Sequence, residues 1–145
     1  KERGVRVELD ASRSVIAEVD PDAIAIVIDN LIRNAIDHSQ ADQIVTLSVN
    51  PGPMIAVEDR GPGVPVELRT RIFEPFARGR ATDRAAGTGL GLGLAICKRI
   101  IDGHGGTIDV EDRPGGGARF VVVLPSSRNA DRLTPLDGAA AIARG

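Results

Sequence analysis

The sequence predicts an α+β domain, a two-layer sandwich in which about three helices lie on one face of a mixed, mostly antiparallel sheet. Three observations predict it. The chain has 145 residues, 42% of them hydrophobic, which is enough for one sizeable core. Short β-type runs come in adjacent pairs, and helical repeats separate those pairs. This order, β-β-α-β-β-loop-α-β-β, differs from the regular βαβ alternation of a doubly wound parallel sheet.

The first half of the chain contains two predicted strand pairs and one helix. Residues 5–9 alternate apolar and polar side chains, and residues 15–19 are the predicted pairing partner. Asp20 before Pro21 predicts a helix start, and apolar residues at helical spacing extend the helix to about Ser39. The next two strands form a predicted hairpin over residues 44–49 and 54–57.

In the second half, residues 67–73 predict a short helix, and residues 77–88 a mobile loop because they lack apolar periodicity. Residues 92–101 predict another helix, which the glycines that follow it terminate. Two strands, residues 107–110 and 118–124, then surround a glycine-rich turn. We expect one domain over residues 1–125 and a loosely held tail over residues 126–145, where small and polar residues predominate.

Composition excludes several classes of function. The formal net charge is -2, so no global basic field favours nucleic acid or an acidic membrane surface. The single cysteine, Cys97, excludes an internal disulfide and fits a reducing compartment. No run reaches the roughly 18 apolar residues that cross a bilayer. Because the chain begins at Lys1 rather than methionine, we expect it to be a piece of a longer protein, and we expect this piece to be cytoplasmic whether or not the rest is membrane-anchored.

Asn30 and Asn34 are candidate metal ligands. They are four residues apart on the first predicted helix and therefore share a face. A neutral amide oxygen can bind Mg2+ without adding charge, and Mg2+ commonly bridges to nucleotide phosphates. Two asparagines on a solvated face with no function are the alternative.

The turn Asp59-Arg60-Gly61-Pro62-Gly63 follows directly on a predicted strand. Its carboxylate can accept a hydrogen bond from the exocyclic amine of adenine, and its glycines allow the backbone to approach the ring. An ordinary structural turn is the alternative.

A glycine-rich run precedes the last predicted helix. Successive unhindered amides at a helix N-terminus bind anions, which suits a triphosphate. The run has neither the lysine ending of a P-loop nor the preceding strand of a Rossmann fingerprint, and a linker without a ligand is the alternative. Its residues are Gly87, Thr88, Gly89, Leu90, Gly91, Leu92, Gly93 and Leu94.

Phe73 and Phe76 flank Glu74-Pro75 just before the predicted loop. The two rings can anchor the base of a lid, with Arg78 beyond them reaching a terminal phosphate. Plain core packing is the alternative for the rings.

Taken together and in this order, the four segments resemble the ATP-binding catalytic domain of bacterial sensor histidine kinases, within the group that includes gyrase, Hsp90 and MutL. The resemblance covers approximately residues 5–125, with an asparagine box at 30–35, glycine boxes at 59–63 and 89–94, and a phenylalanine box at 73–76. It implies a mixed sheet carrying three helices, with ATP held between the asparagine helix and a flexible lid.

The resemblance also implies roles for individual residues. Asn34 would hold Mg2+ with Asn30 beside it, and His38, next to the nucleotide face, would contact the base or ribose. Asp59 would accept from the adenine amine. The remaining positions follow the same similarity: Gly61 and Gly63 would line the ring, Arg78 would lie near the γ-phosphate, and the run from Gly87 to Leu94, chiefly Gly89, Gly91 and Gly93, would surround the phosphates.

Two features depart from the family pattern. Asp37 stands where the family often has a lysine or arginine facing phosphate, so phosphate binding is expected to be altered. The second glycine box has one extra Gly-Leu unit, which leaves Thr88 or Leu90 at a position where relatives often have threonine or serine. We prefer the register that ends at Leu94.

Neither histidine resembles the family's phosphoacceptor, because serine follows His38 and glycine follows His104. We therefore expect the acceptor on a separate dimerisation domain, with a response regulator as an indirect partner. His104 is expected at a helix end and Cys97 in the core. The alternatives are a nucleotide-gated binding module without phosphoryl transfer, an anti-sigma-type serine kinase and, ranked last, a gyrase- or Hsp90-like ATPase.

Overall fold

The computed structural model describes residues 4–11, 15, 17–75 and 92–126. Within them, five strands form one sheet in the order β1-β2-β3-β5-β4. The loop predicted over residues 77–88, and the predicted tail beyond Ser126, lie outside the described residues. The elements are β1 (Arg6–Ala11), α1 (Pro21–Asp37), β2 (Ile44–Asn50), β3 (Met54–Glu58), two 3-10 turns (Val66–Leu68 and Arg71–Phe73), α2 (Gly93–Gly103), β4 (Thr107–Asp112) and β5 (Ala118–Val123).

The sheet is mixed and mostly antiparallel, as predicted. β1 runs parallel to β2, whereas the other three neighbouring pairs are antiparallel. A registered row of Leu47, Val57, Phe120 and Val110 lies on one face of the sheet. These side chains share one apolar core with the inner sides of α1 and α2, so both helices cover the same face. The predicted fold class is therefore confirmed.

The start of α1 follows the prediction closely. The Asp20 carboxylate accepts hydrogen bonds from the backbone amides of Asp22, at 3.0 Å, and Ala23, at 3.3 Å. Pro21 occupies the first turn, where its missing N–H is not needed. These two features fix where the helix begins.

The end of α2 is a Schellman motif. The backbone amide of Gly106 donates to the carbonyl of Ile101, and that of Gly105 donates to Asp102, both at 3.0 Å. Gly105 adopts a φ of +76°, which glycine tolerates without steric cost. The prediction that glycines terminate this helix is confirmed.

His104 joins the two helices. Its Nδ1 lies 2.8 Å from the carbonyl oxygen of Ile100, and its Nε2 accepts from the backbone amide of Asp20 at 3.0 Å. Because a carbonyl oxygen only accepts, Nδ1 carries the proton and Nε2 is the acceptor. His104 is a helix-end residue as predicted, and this contact sets the end of α2 beside the start of α1.

The strand predicted over residues 15–19 is wrong. Val15 makes only an isolated bridge, and β1 pairs with β2 instead. Ala17 and Val19 are buried while Glu18 between them is exposed. An extended segment with one buried side gives the same alternation as a strand, but alternation does not specify a pairing partner.

The single short helix predicted over residues 67–73 is also a misprediction. The structure has two separate 3-10 turns there, and the second ends at Phe73. Glu74 is extended, with ψ of 147°. It precedes Pro75, whose ring disfavours the helical region for the residue before it, so a helix cannot continue.

No helix among the described residues is both long enough and apolar enough to span a membrane.

Candidate functional site

Asn30 and Asn34 are placed by the burial of α1. Ile24, Val27 and Leu31 face the sheet and fix the rotation of the helix. The two asparagines are partly buried, one turn apart, beside this apolar stripe. The structure therefore brings them to a common face, as predicted.

Asn30 faces the first turn of α2. A Cβ added at Gly93 would lie 3.3 Å from Oδ1 of Asn30, which is tighter than an ordinary van der Waals contact. The glycine-rich run that precedes α2 thus contacts α1 at Gly93.

His38 closes the C-terminal end of α1. Its backbone amide and its Nδ1 lie 3.2 Å and 2.8 Å from the carbonyl oxygen of Asn34. Its own carbonyl oxygen lies against Gly61, where an added Cβ would overlap it. This contact holds the turn after β3 against the end of α1, so glycine is required at position 61 by packing within the protein.

Asp59 is a buried carboxylate at the end of β3. It is 2% exposed, and its Oδ1 accepts from the backbone amides of Gly61, at 2.9 Å, and Ala118, at 3.2 Å. Among the described residues, both hydrogen bonds to this carboxylate end on Oδ1. Oδ2 is therefore the atom that remains to accept from a ligand.

Gly117 is a site residue that the sequence did not single out. Its φ is +108°, and an added Cβ would overlap the carbonyl of Asp59. Gly63 has a φ of +82°, and a Cβ added to it would lie 3.4 Å from the carbonyl oxygen of Gly117. The two glycines let the backbones of the β3 turn and of the turn before β5 approach closely. The sequence signal that could have identified Gly117 is the run of three consecutive glycines, residues 115–117, directly before β5.

The second glycine-rich run is described only from Leu92 onward. Leu92 is the N-cap residue of α2, and its side chain makes no capping hydrogen bond. A cap side chain therefore does not compete with a ligand for the backbone amides of the first turn. Leu94 is partly buried and packs against the core. Arg78 and the run of Gly87, Thr88, Gly89, Leu90 and Gly91 lie outside the described residues, so their predicted roles remain predictions.

Phe73 is partly buried and packs against the core. Its ring meets that of Phe120 edge to face, with centroids 6.2 Å apart and an interplanar angle of 81°. It thus ties the segment before the predicted loop to β5. Phe76 lies outside the described residues.

Cys97 is a core residue of α2, as predicted. Its side chain is fully buried, and Sγ lies 3.7 Å from the carbonyl oxygen of Val27 on α1. Burial raises the pKa of the Cys97 thiol to about 12, and a hydrogen bond with the Asn30 side chain opposes this rise as a smaller effect. The thiol is therefore neutral at physiological pH.

Asp37 is partly buried at the last position of α1 and makes a contact of its own within the protein. It lies one residue before His38, whose carbonyl oxygen contacts Gly61. An acidic group therefore stands at the edge of the candidate site.

Three of the four predicted segments meet on α1. The turn after β3 contacts its C-terminal end at His38, and α2 contacts it at Asn30. Asn34 lies between these two contacts along the helix. The described part of the site combines a buried carboxylate, amide side chains and an uncapped helix start, which suits a ligand with an amine at one end and anionic oxygens at the other.

The sequence signature described as Histidine kinase-, DNA gyrase B-, and HSP90-like ATPase matches residues 19–128. The chain belongs to this family. It is 47% identical over 111 residues to the alginate biosynthesis sensor protein KinB of Pseudomonas aeruginosa, covering 74% of this chain and 18% of KinB. It is 44% identical over 108 residues to the sensor histidine kinase CpxA of Escherichia coli, covering 73% of this chain and 23% of CpxA. The chain thus spans about a fifth of the length of these relatives.

Solved structures show the same relationship. The mycobacterial sensor histidine kinase MprB has a TM-score of 0.69 at 27% identity, covering 92% of this chain and 85% of that one. The ATP binding domain of PrrB from Mycobacterium tuberculosis has a TM-score of 0.66 at 32% identity, covering 86% and 82%. The predicted resemblance to the catalytic domain of sensor histidine kinases is therefore confirmed.

Proposed function

We propose that this domain binds Mg-ATP and donates the γ-phosphate to a histidine on a separate dimerisation domain, as a part of two-component signal transduction in the cytoplasm. The observation that carries the proposal is the buried carboxylate of Asp59, held by two backbone amides in a turn that packs against the C-terminal end of α1.

Asp59 supports recognition of adenine. Its Oδ1 is occupied by Gly61 and Ala118, which fixes the carboxylate plane. Oδ2 then accepts from the exocyclic amine of the base. Gly61 and Gly63 carry no side chain that would keep the base away from the turn, and His38 contacts the same turn from the end of α1.

Asn34, with Asn30 beside it, supports the phosphate end. Within the described residues no group of three or more His, Cys, Asp or Glu side chains is placed to hold a metal ion. A single amide oxygen suits Mg2+, which keeps several waters and takes its other ligands from substrate phosphates. When bound there, Mg2+ would neutralise charge that develops on the phosphates during transfer. Gly93 and the amides at the start of α2 would face the same anion, with Arg78 near the γ-phosphate.

The phosphoacceptor is expected outside this chain. His104 uses both ring nitrogens in hydrogen bonds to the ends of two helices. His38 uses Nδ1 on the carbonyl of its own helix. Phosphoryl transfer depends mainly on positioning and charge stabilisation, so this domain can supply both while the nucleophile comes from the dimerisation domain.

The transfer step is tested with the parent protein's dimerisation domain supplied in trans together with γ-labelled ATP. We expect acid-labile label on its histidine, and no label when Asn34→Ala replaces the wild-type domain. An unlabelled histidine, under conditions in which the wild-type domain binds ATP, would contradict phosphoryl transfer.

One observation favours a second candidate function. Asp37 places an acidic group at the edge of the candidate site, where it opposes the approach of a triphosphate. A nucleotide-gated binding module, which reports ATP occupancy without transfer, tolerates such a group. In the same assay this module would retain ATP binding and leave the histidine unlabelled.

A further inference from the structure

The side chain of Asn30 lies beside two residues of α2. If Gly93 carried a Cβ, that atom would lie 3.3 Å from Oδ1, 3.6 Å from Cγ and 4.0 Å from Cβ of Asn30. The whole Asn30 side chain therefore lies against the bare backbone of Gly93. One turn further along α2 is the buried thiol of Cys97, whose pKa the same side chain lowers against the larger rise that burial causes.

Cys97 is itself fixed in place. It is fully buried, and its thiol donates to the carbonyl oxygen of Val27, which lies one turn before Asn30 on α1. Gly93 and Cys97 are four residues apart and therefore on the same face of α2. That face is turned toward α1 at both positions.

We propose that Gly93 and Cys97 are positioning residues, which form a slot that sets the orientation of the Asn30 amide toward the nucleotide phosphates and its metal. The inference rests on the proposed function. It gives Gly93 a role different from phosphate contact: glycine at this position makes room for the Asn30 side chain.

The slot makes the orientation of Asn30 depend on α2. The two helices are also joined at their other ends by His104 and the Asp20 amide. A movement of the first turn of α2 therefore changes the environment of Asn30 while the distant ends stay together. Binding at the start of α2 and binding at Asn30 are coupled through this one side chain.

A double-mutant cycle on Mg-ATP binding tests the proposal. Calorimetry with a non-hydrolysable ATP analogue is performed on the wild type, Gly93→Ala, Asn30→Ala and the double variant. We expect Gly93→Ala to raise Kd about tenfold in the wild-type background, as for one misplaced hydrogen bond to a charged group. In the Asn30→Ala background the same substitution should change Kd less than about twofold.

The controls separate positioning from folding. Gly103→Ala is the matched variant, because it is in the same helix and an added Cβ there meets nothing within 4 Å. It should leave Kd unchanged. Alanine is the better helix former, so Gly93→Ala should not lower the midpoint of urea unfolding. Without nucleotide, Gly93→Ala should shift the NMR signals of the Asn30 side-chain amide, and Gly103→Ala should not.

Cys97 provides a second, independent comparison. Cys97→Ser keeps a hydrogen-bonding group and should bind the analogue as the wild type does, whereas Cys97→Ala should weaken binding. If Gly93→Ala has the same effect on Kd with and without Asn30, Gly93 acts directly on the nucleotide and the inference is overturned, while the proposed function stands. A wild-type domain that binds no analogue would overturn the proposed function and this inference with it.

Discussion

The carbonyl oxygen of His38 lies directly against the Cα of Gly61, in the space that any side-chain carbon would occupy. This contact joins the C-terminal end of the asparagine helix to the turn that contains Asp59. Both contacting atoms belong to the backbone. Neither can therefore move aside without displacing the helix end or the turn.

Gly61→Ala is therefore expected to lower the free energy of unfolding by about 1–3 kcal/mol, the usual cost of overpacking. Urea denaturation followed by far-UV circular dichroism measures this, since the chain has no tryptophan or tyrosine for fluorescence. Gly103→Ala, whose added Cβ meets nothing, is the control. Equal stability of the two variants would show that the turn and the helix end are not in contact.

Asp37→Lys is expected to tighten Mg-ATP binding by roughly two- to tenfold, because it replaces an acidic group at the edge of the candidate site by a basic one, which attracts the anionic phosphates. Titration calorimetry at low and high salt measures the effect, which should shrink as salt rises. Asp109→Lys makes the same charge change on β4 at an exposed position, in register with Val121 on the sheet face away from the helices, and should have little effect. Unchanged or weaker binding by Asp37→Lys would show that the contact Asp37 makes within the protein matters more than its charge.

Cys97 predicts a pH dependence of stability. Its pKa rises from 9.0 to about 12 on folding, chiefly because the thiol is buried. The folded state thus holds this proton more tightly than the unfolded state, so the stabilisation is complete below pH 9 and is lost as the pH rises toward 12.

We therefore expect the free energy of unfolding to fall more steeply between pH 9 and pH 12 in the wild type than in Cys97→Ala. Urea denaturation at a series of pH values gives both slopes, and their difference removes the contribution of every other titrating group. Parallel slopes would mean that the thiol is accessible to solvent in the folded state. The same burial predicts that an alkylating reagent modifies Cys97 only after unfolding.

Local sequence signals predicted the elements that depend on neighbouring residues. The cap formed by Asp20 and Pro21 and the glycine stop after α2 are both present where expected. The alternation over residues 15–19 misled because it reports burial, whereas strand pairing depends on which distant segment lies alongside.

The same distinction applies to the site. Asp59 was identifiable only together with the other three segments in their order along the chain, because a carboxylate followed by glycines at a strand end is also an ordinary structural turn. Gly117 was not, since its contact with Asp59 depends on the register between β3 and β5, which pairs residues far apart in the chain. The positions of Gly93 and Cys97 around Asn30 likewise depend on how two helices pack.

Titration calorimetry of the domain with magnesium and a non-hydrolysable ATP analogue tests the central claim most directly, when the wild type is compared with Asp59→Asn. This substitution keeps the shape of the side chain but replaces one carboxylate oxygen by a donor that faces the adenine amine. We predict saturable one-site binding by the wild type and a Kd raised at least about tenfold in the folded variant. No saturable heat from the wild type, or an unchanged Kd in Asp59→Asn, would contradict the account.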